Sequence, residues 1–265
     1  MKGTNKYMAM LMLSVSLMGV ESTSARAEMP TVSGDIGVAS QYVWRGVVQK
    51  GQPAVQGDLN LALEGFTASA WFSNSYVAAS YAKNPTKEVT EFDFTADYSG
   101  SVGDFGYSLG GIYYTYLYDP NSNFVEGYAG VSYDAVVSPS ITAYYTAKGT
   151  SNAGTSAGFY KTGDLWVDFG LSTSVAGFDL SGTASYVKWK GDAISRAVVG
   201  GLDTHKNGIS LVQLGISKEV EAGGVKVTPS LTASIPVIGK SSDGFRYIYG
   251  ARVYNEFVAS VSFSY

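Results

Sequence analysis

Cysteine is absent from all 265 residues, and histidine occurs once. The first absence excludes disulfides, thiolate metal centres and a cysteine nucleophile. Lys, Arg, Asp and Glu together make up 15% of the chain, against about 25% in an ordinary soluble domain. After residue 27 no apolar run approaches the about 20 residues that a membrane helix needs, and capped helix-period stretches are missing too. What is plentiful is glycine, with 32 residues, and tyrosine, with 20. Low charge and many aromatics without a spanning helix fit strands that cross a membrane, because alternation keeps them from looking very hydrophobic in any window.

The N-terminus has its own pattern. Lys2 and Lys6 form a positive start, Met8 to Val20 is mostly apolar, and Ser24-Ala25-Arg26-Ala27 offers an A-x-A cleavage site. This predicts a secretory signal peptide over residues 1–27, its apolar core being too short to span a bilayer. The mature chain is then one domain, residues 28–265. Removing Lys2, Lys6, Arg26 and Glu21 from 18 basic and 22 acidic residues leaves 15 and 21, a net charge of about −6. That balance argues against a nucleic-acid partner.

Period-two alternation bounded by Gly, Pro, Asn, Asp and Ser predicts twelve strands. They fall at 32–48, 53–64, 65–77, 87–99, 104–118, 123–134, 139–148, 162–173, 177–189, 208–219, 224–236 and 252–265. Connections after even strands are brief: Glu64-Gly65, Gly100 to Gly103, Ser138-Pro139, Ala176-Gly177 and Glu221 to Gly224. Those after most odd strands are longer, such as "KGTSNAGTSAGF" and "GDAISRAVVGGLDTHK". Short turns at one end and long loops at the other are the layout of an outer-membrane barrel, with both termini in the periplasm. Ten or fourteen strands survive modest boundary changes, and the register of strands 3, 5 and 8 stays open.

Strand faces agree. Val225, Val227, Leu231, Ala233 and Ile235 oppose Lys226, Thr228, Ser230, Thr232 and Ser234. Nothing remains in the chain to cover twelve apolar faces except lipid, and closure satisfies the backbone in hydrocarbon. In the final "EFVASVSFSY", Phe257, Ala259, Val261, Phe263 and the terminal Tyr265 share a face. A strand of that form resembles the signal by which outer-membrane barrels address their assembly machinery.

The first strand carries a second resemblance. Gly34-Asp35 to Arg45-Gly46, followed by Gln52-Pro53-Ala54-Val55-Gln56-Gly57, resembles the N-terminal region of the TorF-type porins of proteobacteria. The likeness covers about 30 residues and implies a porin-like barrel without transferring a substrate. Tyr42 and Trp44 are expected at the outer membrane interface, with Phe257, Phe263 and Tyr265 as further interface aromatics. Arg45 is expected in the mouth of the pore, with a turn at Gln49-Lys50-Gly51.

Inward positions supply the candidate selectivity residues: Arg45, Asp58, Glu91, Asp93, Glu126, Asp168, Lys226 and Glu256, with Asp97, Asp134, Asp179 and Lys148 beside them. Excess carboxylate in a pore favours cations; the plainer reading is that these groups only solvate a polar lumen. Inward Trp71, Phe124, Tyr128, Tyr144 and Trp166 are bulky for a wide pore and either line or block it. "GTSAG" around Ser156 fits the G-x-S-x-G pattern but lies in a loop of small residues, not on a strand-to-helix turn. His205 sits in a loop without a paired serine and acid, so no enzyme is expected. Glu91 and Asp93 share a face and are weighed for calcium, but solvation is the commoner fate; no metal or other cofactor is expected. The expectation is a monomeric outer-membrane channel passing small hydrophilic solutes with mild cation preference. A closed structural or surface-interaction barrel is the alternative, and a barrel enzyme a distant third.

Overall fold

The computed structural model describes residues 29–76, 88–117, 119–150, 160–190, 206–241, 243–249 and 251–264. The expected signal sequence, Ser156, His205 and Tyr265 lie outside these residues. Twelve antiparallel strands form the wall: β1 Thr31–Ala39, β2 Ala54–Leu63, β3 Phe66–Tyr76, β4 Glu88–Val102, β5 Phe105–Tyr116 and β6 Phe124–Tyr133. The circuit continues through β7 Ser138–Lys148, β8 Leu165–Val175, β9 Phe178–Lys188, β10 Gly208–Ser217, β11 Val225–Pro236 and β12 Glu256–Ser264. Each strand pairs with the next, and β12 closes on β1 with Asp35 opposite Ser264 and Ala39 opposite Ser260. Closure leaves none of these twelve wall strands as an edge, which is the condition for a sheet in hydrocarbon.

Alternation decides the two faces. Leu59, Phe94, Leu109, Val131, Leu171, Leu231 and Phe257 all point outward, with Phe94 50% and Leu109 64% exposed. Such a belt around the whole wall far exceeds the apolar patches of soluble proteins. Outward rings gather near the short-turn end, where Phe66 meets Tyr98 at 4.7 Å and Phe105 meets Tyr133 at 4.9 Å. Phe257 and Phe263 face outward at opposite ends of β12.

At that end Glu64-Gly65 and Ala176-Gly177 take positive φ at both positions, the tight hairpin turn that suits the strand twist. The structure shifts two turns from their predicted places. β4 runs on to Val102, so its turn is Gly103-Asp104. Ser138-Pro139 belongs to β7, so that connection is 134–137. The open registers settle as well: Asp58, Trp71, Asp93 and Tyr114 lie side by side across β2 to β5, all inward, and on β8 Trp166 faces inward opposite Tyr144.

Strand 1 departs most from expectation. It stops at Ala39, directly opposite Ala54 at the start of β2. The chain between them forms a separate hairpin, Tyr42–Trp44 paired with Val47–Lys50, turning at Arg45-Gly46 rather than at Gln49-Gly51.

Candidate functional site: a plugged lumen

The hairpin folds into the barrel instead of standing above it. Its two-residue turn has φ of 46° at Arg45 and 79° at Gly46. A turn of this kind needs positive φ at both positions, which glycine takes freely and arginine resists. Gly46 also lies close against β10, where an added Cβ would stand 2.9 Å from Leu211 Cδ1 and force that buried side chain to shift. Tyr42 and Trp44 are therefore not interface residues. They are 1% and 6% exposed, packed inside the lumen. Their alternation with Val43 reads as continued strand, but the two-residue turn behind them redirects both rings inward.

From its root between β1 and β2 the hairpin crosses to the opposite wall. There Arg45 donates from both terminal nitrogens to Glu126 of β6, at 2.8 Å each. Arg45 Nη1 also donates to the Tyr249 hydroxyl at 2.6 Å, and Tyr114 donates to Glu126 Oε2 at 3.1 Å. The guanidinium lies 4.4 Å from the Trp44 ring, 4.9 Å from Trp166 and 5.0 Å from Tyr144. A forked charge pair with aromatic faces around the cation suits arginine in a dry place. Trp44 meets Tyr114, Phe124 and Tyr160 edge-on, and Phe124 stacks on both tyrosines with centroids 4.1 and 4.0 Å away. Ile238, Ile248 and Tyr249, from the segment between β11 and β12, are buried in the same cluster. Together these groups fill the bore at the long-loop end.

The remaining predicted lumen residues are spread along the bore and form no ring. Glu91 and Asp93 lie near the plug; Tyr116 donates to Glu91 Oε1 at 2.9 Å, while Glu91 Oε2 and Asp93 Oδ1 are buried without a protein partner. Glu256 accepts from Gln41 at 3.0 Å, beside the hairpin root. Asp168 accepts from Trp166 Nε1 at 2.7 Å and Ser185 at 2.6 Å. Asp58 accepts from Asn60 at 2.6 Å, and Asp97 accepts from Tyr128 at 2.6 Å, both nearer the short turns. Lys226 pairs with Glu219 at 3.0 Å at the short-turn rim. Two expected inward groups are displaced. Lys148 sits opposite Val125 across a bulge that shifts it to the exposed side, and Asp134 lies exposed in a turn. Among the described residues no three His, Asp or Glu side chains gather as metal ligands.

Below the plug the lumen changes character. A cavity of about 80 Å³ opens under Trp44, Arg45, Tyr144 and Trp166, with Gln213, Thr232 and Ser234 on its other side. Farther toward the short turns the lining is mostly Ser, Thr and Asp. Sequence reasoning found the wall residues by their period. It missed Tyr160 and Tyr249, which come from connections without any period, and it missed that the hairpin is a plug. The signal for the latter was present: "YVW" and "VVQK" flank a two-residue Arg-Gly, which is hairpin spacing.

Among solved structures, the outer membrane phospholipase A of Escherichia coli is similar with a TM-score of 0.45 and 12% identity, covering 89% of this chain and 96% of the other. The outer-membrane-expressed OmpT of Vibrio cholerae aligns at 0.37 and 10% identity over 92% and 100%. A porin aligns at 0.35 and 10% identity over 89% and 100%. No curated protein matches the chain. A family model described as "Bacterial protein of unknown function (Gcw_chp)" matches residues 24–199. Its description names neither porins nor TorF, and by that match over more than half its length the chain belongs to the Gcw_chp family.

Proposed function

We propose that the protein is a monomeric outer-membrane barrel that admits small hydrophilic solutes to a polar lumen and is closed to free diffusion at its loop end. The apolar belt supports the location, since only lipid is left to cover it. The observation that carries the reading is the hairpin bridging the bore, from its root at Ala39 and Ala54 to Glu126 on the far wall. Passage past that level requires the hairpin to leave Glu126. The acidic groups below the plug, Asp58, Asp97 and Asp168, favour cations over anions once the way is open. The outward face of β12 is read as the surface met by the barrel assembly machinery. No reaction is assigned to any residue.

Liposome swelling tests this reading. Vesicles holding the wild-type barrel are expected to swell slowly in arabinose, and vesicles holding Glu126→Gln markedly faster. Equal fast swelling of both would show that the hairpin does not close the barrel. A second reading, a closed barrel with a structural role, rests on how completely the aromatic cluster is buried. It gains if neither barrel swells its vesicles.

A further inference from the structure

We propose that the cavity beneath the hairpin binds a small neutral polyhydroxy solute, in the size range from glycerol to a four-carbon polyol. The volume of about 80 Å³, at about 10–15 Å³ for each water-sized occupant, takes on the order of five to eight non-hydrogen atoms. Its two walls differ in chemistry. Tyr144 and Trp166, whose rings already hold the Arg45 guanidinium at 5.0 and 4.9 Å, line one wall with the aromatic carbon left uncovered, against which C–H groups pack. Across from them β10 and β11 turn Gln213, Thr232 and Ser234 into the space. Ser234 is 1% exposed and its hydroxyl has no partner. The side chains of Gln213 and Thr232 make no hydrogen bond among the described residues. A buried hydroxyl without a partner is costly, so a ligand carrying several hydroxyls gains by supplying one to each.

Charge argues for neutrality. Arg45 is already satisfied by the fork on Glu126, while Asp168, whose Oδ1 takes both Trp166 and Ser185, lines the cavity with Oδ2 able to accept a ligand hydroxyl. An anion would meet Asp168, and a cation would meet Arg45. Amide and hydroxyl groups that both donate and accept suit a polyol, which does the same.

The inference deepens the proposed function and rests on it for access to the cavity. Binding in detergent and passage into vesicles are separate readouts, so either can fail alone. The experiment is saturation-transfer NMR on the folded mature protein in micelles, titrated with erythritol and with choline and acetate as charged controls. The expected result is a saturable erythritol signal with millimolar affinity. Removing two hydroxyl partners at about 1 kcal/mol each should weaken it roughly ten-fold or more in the Thr232→Val, Ser234→Ala double variant. Gln213→Met serves as an independent variant with the same expectation, and heat-modifiable gel mobility shows that each barrel is folded. Absence of saturation, an undiminished signal from folded variants, or preference for choline or acetate overturns the proposal.

Discussion

Arg45 holds a left-handed backbone conformation, φ 46°, that the two-residue turn imposes and a strong side-chain partner helps to fix. That partner is Glu126, reached by two hydrogen bonds of 2.8 Å with the carboxylate 1% exposed. Breaking a buried pair from one side leaves a charge without compensation. Glu126→Gln is therefore expected to destabilise the docked hairpin by about 3–5 kcal/mol, read from the urea midpoint of the folded barrel. Replacing both partners by methionine should recover most of that loss, because no charge is then stranded. On the outer face the logic reverses. Phe94→Arg places a charge against lipid and should cost up to about 2–4 kcal/mol. Inward Ser181→Arg should change stability little in the same urea titration.

A third residue-scale case lies in the segment between β11 and β12. Tyr247 donates to Asp243 Oδ2 at 2.6 Å, and Asp243 Oδ1 accepts the Phe245 amide at 3.0 Å. The Tyr247 hydrogen bond leads in holding the Asp243 carboxyl below its ordinary value, with the Phe245 amide and Arg252 adding to it. A depressed carboxyl contributes order above its unfolded value and loses it as pH falls through the folded one. Exchange protection of the Phe245 amide should hold as pH falls through about 3.9, the ordinary Asp value, and fail only below it. Tyr247→Phe should move that loss to higher pH, and an unchanged profile would deny the hydrogen bond its role.

Among the elements, the wall strands were legible and the hairpin was not. Strands such as β4 and β11 announce themselves because lipid on one side and a polar lumen on the other impose period two along their length. Tyr42 and Trp44 obey the same period, so local pattern alone extends strand 1 through them. What separates them is tertiary: Gly46 against Leu211, and Arg45 against Glu126 some 80 positions away. The acids at Glu91, Asp93 and Asp168 were recognised as inward from the pattern. Their distribution along the bore, instead of in one ring, depends on strand stagger that the sequence does not print. Lys148 was misplaced because the bulge at Val125 and Glu126 breaks the alternation by one residue. Gly46→Ala is the sharpest element-scale test. It forces a Cβ into a positive-φ position against Leu211, so the hairpin should undock while the barrel itself still folds, measured by trypsin cleavage at Arg45.

At the scale of the whole molecule, two requirements meet. The wall must satisfy every backbone group in hydrocarbon, which closure does, and the bore must be either wet or filled. Here it is both, polar near the short turns and packed with rings and the Arg45–Glu126 pair near the loops. The absence of cysteine and the abundance of tyrosine belong to this design: aromatic packing and hydrogen-bonded hydroxyls hold the plug. Because Ala39 and Ala54 already face each other, residues 40–53 can be exchanged for a two-residue Asn-Gly turn without disturbing the register of β1 and β2. Single-channel recording in a planar bilayer, wild type against that replacement, tests the plugged lumen most directly. The wild type should stay closed apart from rare brief openings, and the replacement should give sustained discrete steps with a cation-selective reversal potential. Sustained wild-type steps as large as those of the replacement would contradict the plug.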